Sequence, residues 1–121
     1  MLIAFLSAAA AATPETAVRA TREDYRQWPS AYDWYLATPQ LVQSRGLAGR
    51  AVLLCKVSDQ GALARCRVAE EDPKNVGFGK AAMKLRTKIR MVPPPKGQER
   101  WLLVPFRWDE RGPHHQPASW W

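Results

Sequence analysis

Residues 50–68 read RAVLLCKVSDQGALARCRV, and they decide how the rest of the chain is arranged. Apolar residues dominate both sides of a Ser-Asp-Gln-Gly turn, which is the pattern of a β-hairpin. Gly61 supplies the positive φ that such a turn favours. If Gln60 and Gly61 form a two-residue loop, one face of the hairpin becomes wholly apolar. This register sets three pairs opposite each other: Val57 with Ala64, Cys55 with Cys66, and Leu53 with Val68.

Two alternatives remain open at this hairpin. A three-residue loop sets Cys55 against Arg65 and mixes charge into the apolar face, so a slip of one residue is costly. Opposed residues in an antiparallel ladder have Cα atoms about 4.5–5.5 Å apart, and a disulfide accepts about 4.4–6.8 Å. A Cys55–Cys66 disulfide is therefore allowed, and an oxidising compartment favours it. Two buried free thiols are the alternative.

The first twelve residues, MLIAFLSAAAAA, form an uncharged apolar run that ends in small residues. The run resembles a secretory signal peptide, although no Lys or Arg precedes it, and it predicts export to the periplasm with a mature start near Thr13. As a helix it covers about 18 Å, which is short of a hydrocarbon core of about 30 Å, so membrane anchoring is not expected. An Ala-rich helix packed on the domain is one alternative. Inner-membrane association is another, if the true start lies upstream.

The next segments are polar or helical. Residues 13–27 are mixed in charge, and we expect a linker or a short frayed helix. Ser30 and Asp33 have the spacing of a capping box, which predicts a helix start. Thr38 followed by Pro39 predicts a second helix start, with threonine as the cap. Gly46 is placed to end this second helix.

After the hairpin, apolar residues recur at helical spacing and predict a helix from about Phe78 to Arg90, stopped by the prolines at 93–95. Cations occupy the rest of its circumference, among them Lys80, Lys84 and Lys88. The apolar stripe comprises Phe78, Ala81, Ala82, Leu85, Ile89 and Val92.

A final strand is predicted over residues 101–108, WLLVPFRW. Pro105 lacks a backbone donor, which indicates an edge strand. Residues 110–121 show no periodicity and are expected to form a flexible tail, so the domain spans residues 28–109.

The order of these elements defines a topology. A crossover helix returns the chain parallel to the second hairpin strand, with a right hand. The first hairpin strand is then central, and the strand order is 2-1-3. We therefore predict an α+β fold with a three-stranded mixed sheet, whose helix covers the face that holds Leu53, Cys55 and Val57.

Over residues 29–108 a set of residues follows a characteristic order and spacing: Pro39, Gly46, Gly49, Gly61, Gly77-Phe78-Gly79-Lys80-Ala81-Ala82, Pro93, Gly97 and Val104-Pro105-Phe106. In this order and spacing they resemble the C-terminal domain of TonB, the periplasmic energy-transducing protein. The resemblance implies a protein-interaction module that binds an extended peptide at its edge strand, with a link to outer-membrane transport. We expect no anchor helix and no long Pro-rich spacer before the domain, and Thr38 stands where the family usually has tyrosine, so direct energy transduction is not carried over.

The sequence contains no recognisable catalytic constellation, so we expect neither an enzyme nor a cofactor. The adjacent His114 and His115 have no further metal-ligand pattern, and Cys55 and Cys66 are too far apart for a redox pair of the Cys-x-x-Cys type.

Two functions compete. The first is binding of a protein partner in the cell envelope, such as an outer-membrane transporter, by strand addition at the last strand. Its candidate residues are Trp101, Leu103, Pro105, Arg107 and Trp108. The second is binding of an anionic membrane or polymer through Lys80, Lys84 and Lys88. The formal net charge of +7 fits such partners and equally fits an ordinary solvated surface. Nucleic acid is not expected, because export removes it from the compartment.

Overall fold

The structure is a computed structural model, which describes residues 13–109 and the backbone of residues 112–113. The predicted signal peptide and the residues His114, His115, Trp120 and Trp121 lie outside the described part. The helices are α1 (Ala31–Ala37), α2 (Gln40–Arg45) and α3 (Phe78–Leu85). The strands are β1 (Val18–Arg19), β2 (Tyr25–Gln27), β3 (Gly49–Val57), β4 (Leu63–Asp72), β5 (Arg90–Met91), β6 (Trp101–Asp109) and β7 (Gly112–Pro113).

The main sheet has the order β1-β6-β3-β4, with β7 paired to the end of β6. Strand β3 is antiparallel to both β4 and β6, whereas β1 is parallel to β6. The predicted first, second and third strands are β3, β4 and β6, so the predicted 2-1-3 order is confirmed. The sheet is wider than predicted because β1 and β7 add to the outer side of β6. The α+β class is likewise confirmed.

Residues 13–27 are more ordered than the linker or frayed helix that their polarity predicted. They contain two short 3-10 turns, Pro14–Thr16 and Arg22–Asp24, and both β1 and β2. Strand β2 pairs with β5 in a separate two-stranded sheet. Strands of two or three residues have no periodicity that a sequence could display, which explains why the prediction missed them.

The hairpin loop has three residues, so the predicted two-residue loop is wrong. The Ser58 amide donates to the Ala62 carbonyl at 2.8 Å, and Lys56 accordingly pairs with Ala64. A β-bulge, at which Arg65 has a φ of 49°, then adds one residue to β4. Beyond the bulge Leu53 pairs with Val68, as predicted. The bulge therefore restores the predicted register at the two pairs next to the cysteines, Leu54 with Arg67 and Leu53 with Val68.

Cys55 and Cys66 form a disulfide, with their Cα atoms 4.1 Å apart. The predicted bond is confirmed, and free thiols are excluded at this pair. The Cys55 side chain is fully buried beneath α3 in the core.

Removing the disulfide is expected to lower the free energy of unfolding by about 2–3 kcal/mol, because a short loop loses little entropy on closure. Urea denaturation of the Cys55→Ala/Cys66→Ala double variant measures this loss. Reduced wild-type protein serves as the control and should lose a similar amount. Identical midpoints for oxidised and reduced wild-type protein would contradict the prediction.

Gly61 is required by both its conformation and its surroundings. Its φ is +86°, in the left-handed region that glycine favours. A Cβ at this position would lie 2.2 Å from the Met91 carbonyl oxygen. In the same place the Met91 amide donates a hydrogen bond to the Gly61 carbonyl at 2.7 Å. The loop of the hairpin is thereby joined to β5.

Helix α3 is shorter than predicted. It ends at Leu85, a 3-10 turn covers Arg86–Lys88, and Ile89 is extended. The chain leaves the helix because Met91 pairs with Tyr25 of β2, a tertiary contact that local spacing does not reveal. Ile89 is still fully buried, but it belongs to the connection and not to the helical stripe.

The first two helices confirm one predicted cap and correct another. The Asp33 amide donates to Ser30 Oγ at 3.1 Å, and the Ser30 amide donates to the Asp33 carboxylate at 2.9 Å. The backbone hydrogen bond from Ser30 lowers the pKa of Asp33 below its ordinary value. Thr38 does not cap α2 as predicted, because it ends α1 and Pro39 occupies the cap of α2. Gly46 ends α2 with a φ of 60°, as predicted.

The core lies between one face of the main sheet and the helices. Trp108 of β6 packs edge-on to Trp34 of α1, with ring centroids 5.1 Å apart, and its ring lies 5.0 Å from that of Phe78. The face of β3 that holds Leu53, Cys55 and Val57 is buried in the same cluster as α3, as predicted.

Candidate functional site

Strand β6 alternates the direction of its backbone groups. The Val57 amide donates to the Arg100 carbonyl at 2.9 Å, and the register with β3 then runs from Lys56 opposite Trp101 through eight pairs without a shift. Even-numbered residues of β6 therefore direct their amides and carbonyls toward β3. Odd-numbered residues direct theirs to the outer side. The Ala20 amide confirms this by donating to the outward Leu103 carbonyl at 2.9 Å.

The outer side of β6 is covered at two places, so the predicted edge is only partly open. Strand β1 pairs with Leu102 and Leu103, and β7 pairs with Trp108 and Asp109. Between them, no described strand pairs with Pro105 or Arg107. The missing amide of Pro105 belongs to this outer row, which is where proline costs the sheet no hydrogen bond.

The five predicted contact residues divide between the two faces of the sheet. Trp101 and Leu103 are half-buried and Pro105 is buried, all on the face opposite α3, while Arg107 is exposed there. Trp108 is 1% exposed on the core face, and its indole N–H donates to Thr38 Oγ1 at 2.9 Å. The Trp108 ring is therefore not exposed to a partner, although the residue was among the predicted contact residues, and Trp101 is the tryptophan of this strand that remains accessible.

The opposite edge of the sheet, β4, is a poorer template for strand addition. Its register with β3 shifts twice, near Leu53 and near Lys56, and such bulges twist an edge. Exposed charges also line it, with Arg67 and Glu70 on one face. Glu70 forms an ion pair with Arg50 of β3. Charged side chains and bulges are the means by which sheet edges avoid pairing.

The predicted basic residues of α3 do not form one separate patch. Lys80 and Lys84 line a cleft that also holds Tyr35 and Leu36 of α1. Lys88 lies with Lys84 around a smaller hollow that Asp33 also lines, and its charge contributes to the lowered pKa of that carboxyl. All three lysines are exposed.

Clusters of metal ligands and membrane-spanning helices are both absent from the described residues. They contain no cluster of three or more histidine, cysteine, aspartate or glutamate side chains that could hold a metal ion. Within the same part of the chain, no helix is long and apolar enough to span a membrane.

Comparisons with known proteins show a similarity to solved structures but identify no family. No protein-family model matches the chain, and no curated protein matches it. The solution NMR structure of the TonB C-terminal domain from Pseudomonas aeruginosa is similar at 24% sequence identity, with a TM-score of 0.47. The match covers 59% of this chain and 74% of that chain. The fold of this protein therefore rests on its own strand pairing, described above.

Sequence reasoning missed the exposed apolar residues of α1. Tyr35 and Leu36 are 60% and 59% exposed, and the ring of Tyr35 stacks on that of Tyr32 at 6.4 Å. A signal was present, because Trp34 and Ala37 are three residues apart and define the buried face of the helix. The residues between them then fall on the solvent side, where large apolar side chains are unexpected.

Proposed function

We propose that this protein is an interaction module that binds an extended segment of a partner protein along the outer side of β6. The observation that carries the proposal is the unbroken register of β6 with β3, which presents a regular outer row of backbone groups. The Pro105 carbonyl and the Arg107 amide lie in the part of that row that no described strand covers. An incoming strand pairs with such groups and gains affinity from main-chain hydrogen bonds.

The neighbours of this open part are short enough to yield to a partner. Strand β1 contributes two residues, and Val18 is 61% exposed, so β1 is held mainly by its backbone pairing and by the adjacent Ala20, which is buried in the core. A bound segment that extends past Pro105 replaces β1 at Leu103 and continues over Trp101. The half-buried side chains of Trp101 and Leu103 then flank the new strand and contribute apolar contact.

The same proposal assigns the protein to the periplasm, where its partner is an envelope protein such as an outer-membrane transporter. The Cys55–Cys66 disulfide supports an oxidising compartment. The apolar residues 1–12 support export, and mass spectrometry of protein from its native host tests it. A mature chain that begins near Thr13 is expected, and an intact Met1 in soluble cytoplasmic protein would contradict export.

A proline substitution tests the mode of binding. Arg107→Pro removes one outward amide without removing a hydrogen bond to β3, as Pro105 already does. We expect it to weaken binding of peptides from periplasmic segments of outer-membrane proteins by about tenfold, because one hydrogen bond is lost and the backbone is obstructed. Isothermal titration calorimetry measures the change.

Arg107→Ala is the matched control, because it removes the side chain and keeps the amide. Its affinity should stay within about threefold of wild type. Equal losses in the two variants would attribute binding to the guanidinium and contradict strand addition. Binding that disappears at moderate salt and depends on Lys80, Lys84 and Lys88 would instead support the basic-surface function.

A further inference from the structure

A cleft of about 950 Å³ lies between the first two helices on one side and α3 with β4 on the other. Tyr35 and Leu36 form its apolar wall, and Lys80 and Lys84 line the facing wall. Val68 of β4 is 38% exposed and adds a further apolar side chain to the lining of the cleft. The cleft is separate from the outer side of β6, so it is not part of the binding site proposed above.

The charge of the cleft is positive. Lys80 and Lys84 are exposed, and neither forms an ion pair within the described part of the chain. Glu71 is the one acidic residue that lines the cleft, and its carboxylate accepts a hydrogen bond from the Gly79 amide at 3.1 Å. That carboxylate is thus held at the start of α3. The two lysines consequently remain available to an external anion.

We propose that this cleft is a second docking site, and that its partner is an acidic protein segment with large apolar side chains. Aromatic and leucine side chains of such a segment would pack on Tyr35 and Leu36, and its carboxylates would pair with Lys80 and Lys84. Apolar contacts beside complementary charge are the usual composition of a specific peptide site. A concave site favours a peptide over a membrane, because a flat bilayer does not reach the floor of a cleft.

The docking site is tested by displaying short random peptides on a surface and selecting those that bind the full chain. Enriched peptides should combine aspartate or glutamate with leucine or aromatic residues. In NMR titrations they should shift amide signals of residues 35–43 and 80–84. The Lys80→Glu/Lys84→Glu variant should bind them at least about tenfold more weakly, since it replaces attraction by repulsion.

Control variants distinguish binding in the cleft from non-specific charge attraction and from binding at β6. Lys96→Glu makes the same kind of charge change at an exposed lysine that does not line the cleft, and it should bind within about twofold of wild type. Leu36→Ser tests the apolar wall and should also weaken binding. Circular dichroism melts of each variant establish that it is folded. Peptides bound at β6 would lose affinity in Arg107→Pro and keep it in Lys80→Glu/Lys84→Glu.

Several results would overturn the docking site. These are the absence of enriched peptides, enrichment without acidic residues, shifts confined to residues 101–109, or an equal loss in Lys96→Glu. Phosphatidylglycerol vesicles provide the remaining comparison. Vesicle binding that depends on Lys80 and Lys84, with no peptide selected, would assign the two lysines to a membrane surface instead.

Discussion

Replacing Trp108 by alanine is expected to lower the free energy of unfolding by about 3–5 kcal/mol. The side chain is 1% exposed and contacts the rings of Trp34 and Phe78, so the substitution leaves a large cavity. It also removes the indole N–H that donates to Thr38 Oγ1. Urea denaturation followed by circular dichroism measures the loss.

Trp101→Ala is the matched control for this substitution. Trp101 lies on the same strand but on the opposite face, and it is half-buried, so its loss should cost clearly less. Equal losses for the two tryptophans would mean that the faces of β6 have been misassigned. In that case the outward row of backbone groups, on which the proposed function depends, would also be in doubt.

Replacing Leu85 by alanine should cost about 2–5 kcal/mol of unfolding free energy. Leu85 ends α3 and is 1% exposed among core residues, where a deleted side chain leaves a cavity. Lys84 precedes it on the exposed side of the same helix, and Lys84→Ala should change stability by no more than about 0.5 kcal/mol. Similar effects of these two adjacent substitutions would contradict the packing of α3 on the sheet.

The sequence predicted the strand order because that order depends on strong local signals. The hairpin around Gly61 and the single apolar stripe from Phe78 to Leu85 leave few topologies once right-handed crossover is required. Local sequence signals do not predict features that are determined by tertiary contacts, such as the end of a helix or the position of a bulge. The early end of α3 follows from the pairing of Met91 with Tyr25, and the left-handed Arg65 of the bulge has no marker such as glycine.

The candidate site was predictable in part. Pro105 correctly indicated the outer side of β6, but β1 was too short to be recognised, so the partial cover of that side was missed. Trp101 and Trp108 are an odd number of residues apart and must face opposite sides of a strand. That spacing alone excludes one of the two from partner contact. Which one faces the core depends on the packing of Trp108 against Trp34 and Phe78.

Hydrogen exchange of the β6 amides, measured by NMR with and without a bound peptide, tests the proposed function most directly. The probes are the peptides from periplasmic segments of outer-membrane proteins that bind in calorimetry. Strand addition predicts that the outward Arg107 amide becomes protected on binding. The Phe106 amide, already directed to β3, should not change. A bound peptide that leaves the Arg107 amide unprotected, or that protects β4 instead, would contradict binding at β6.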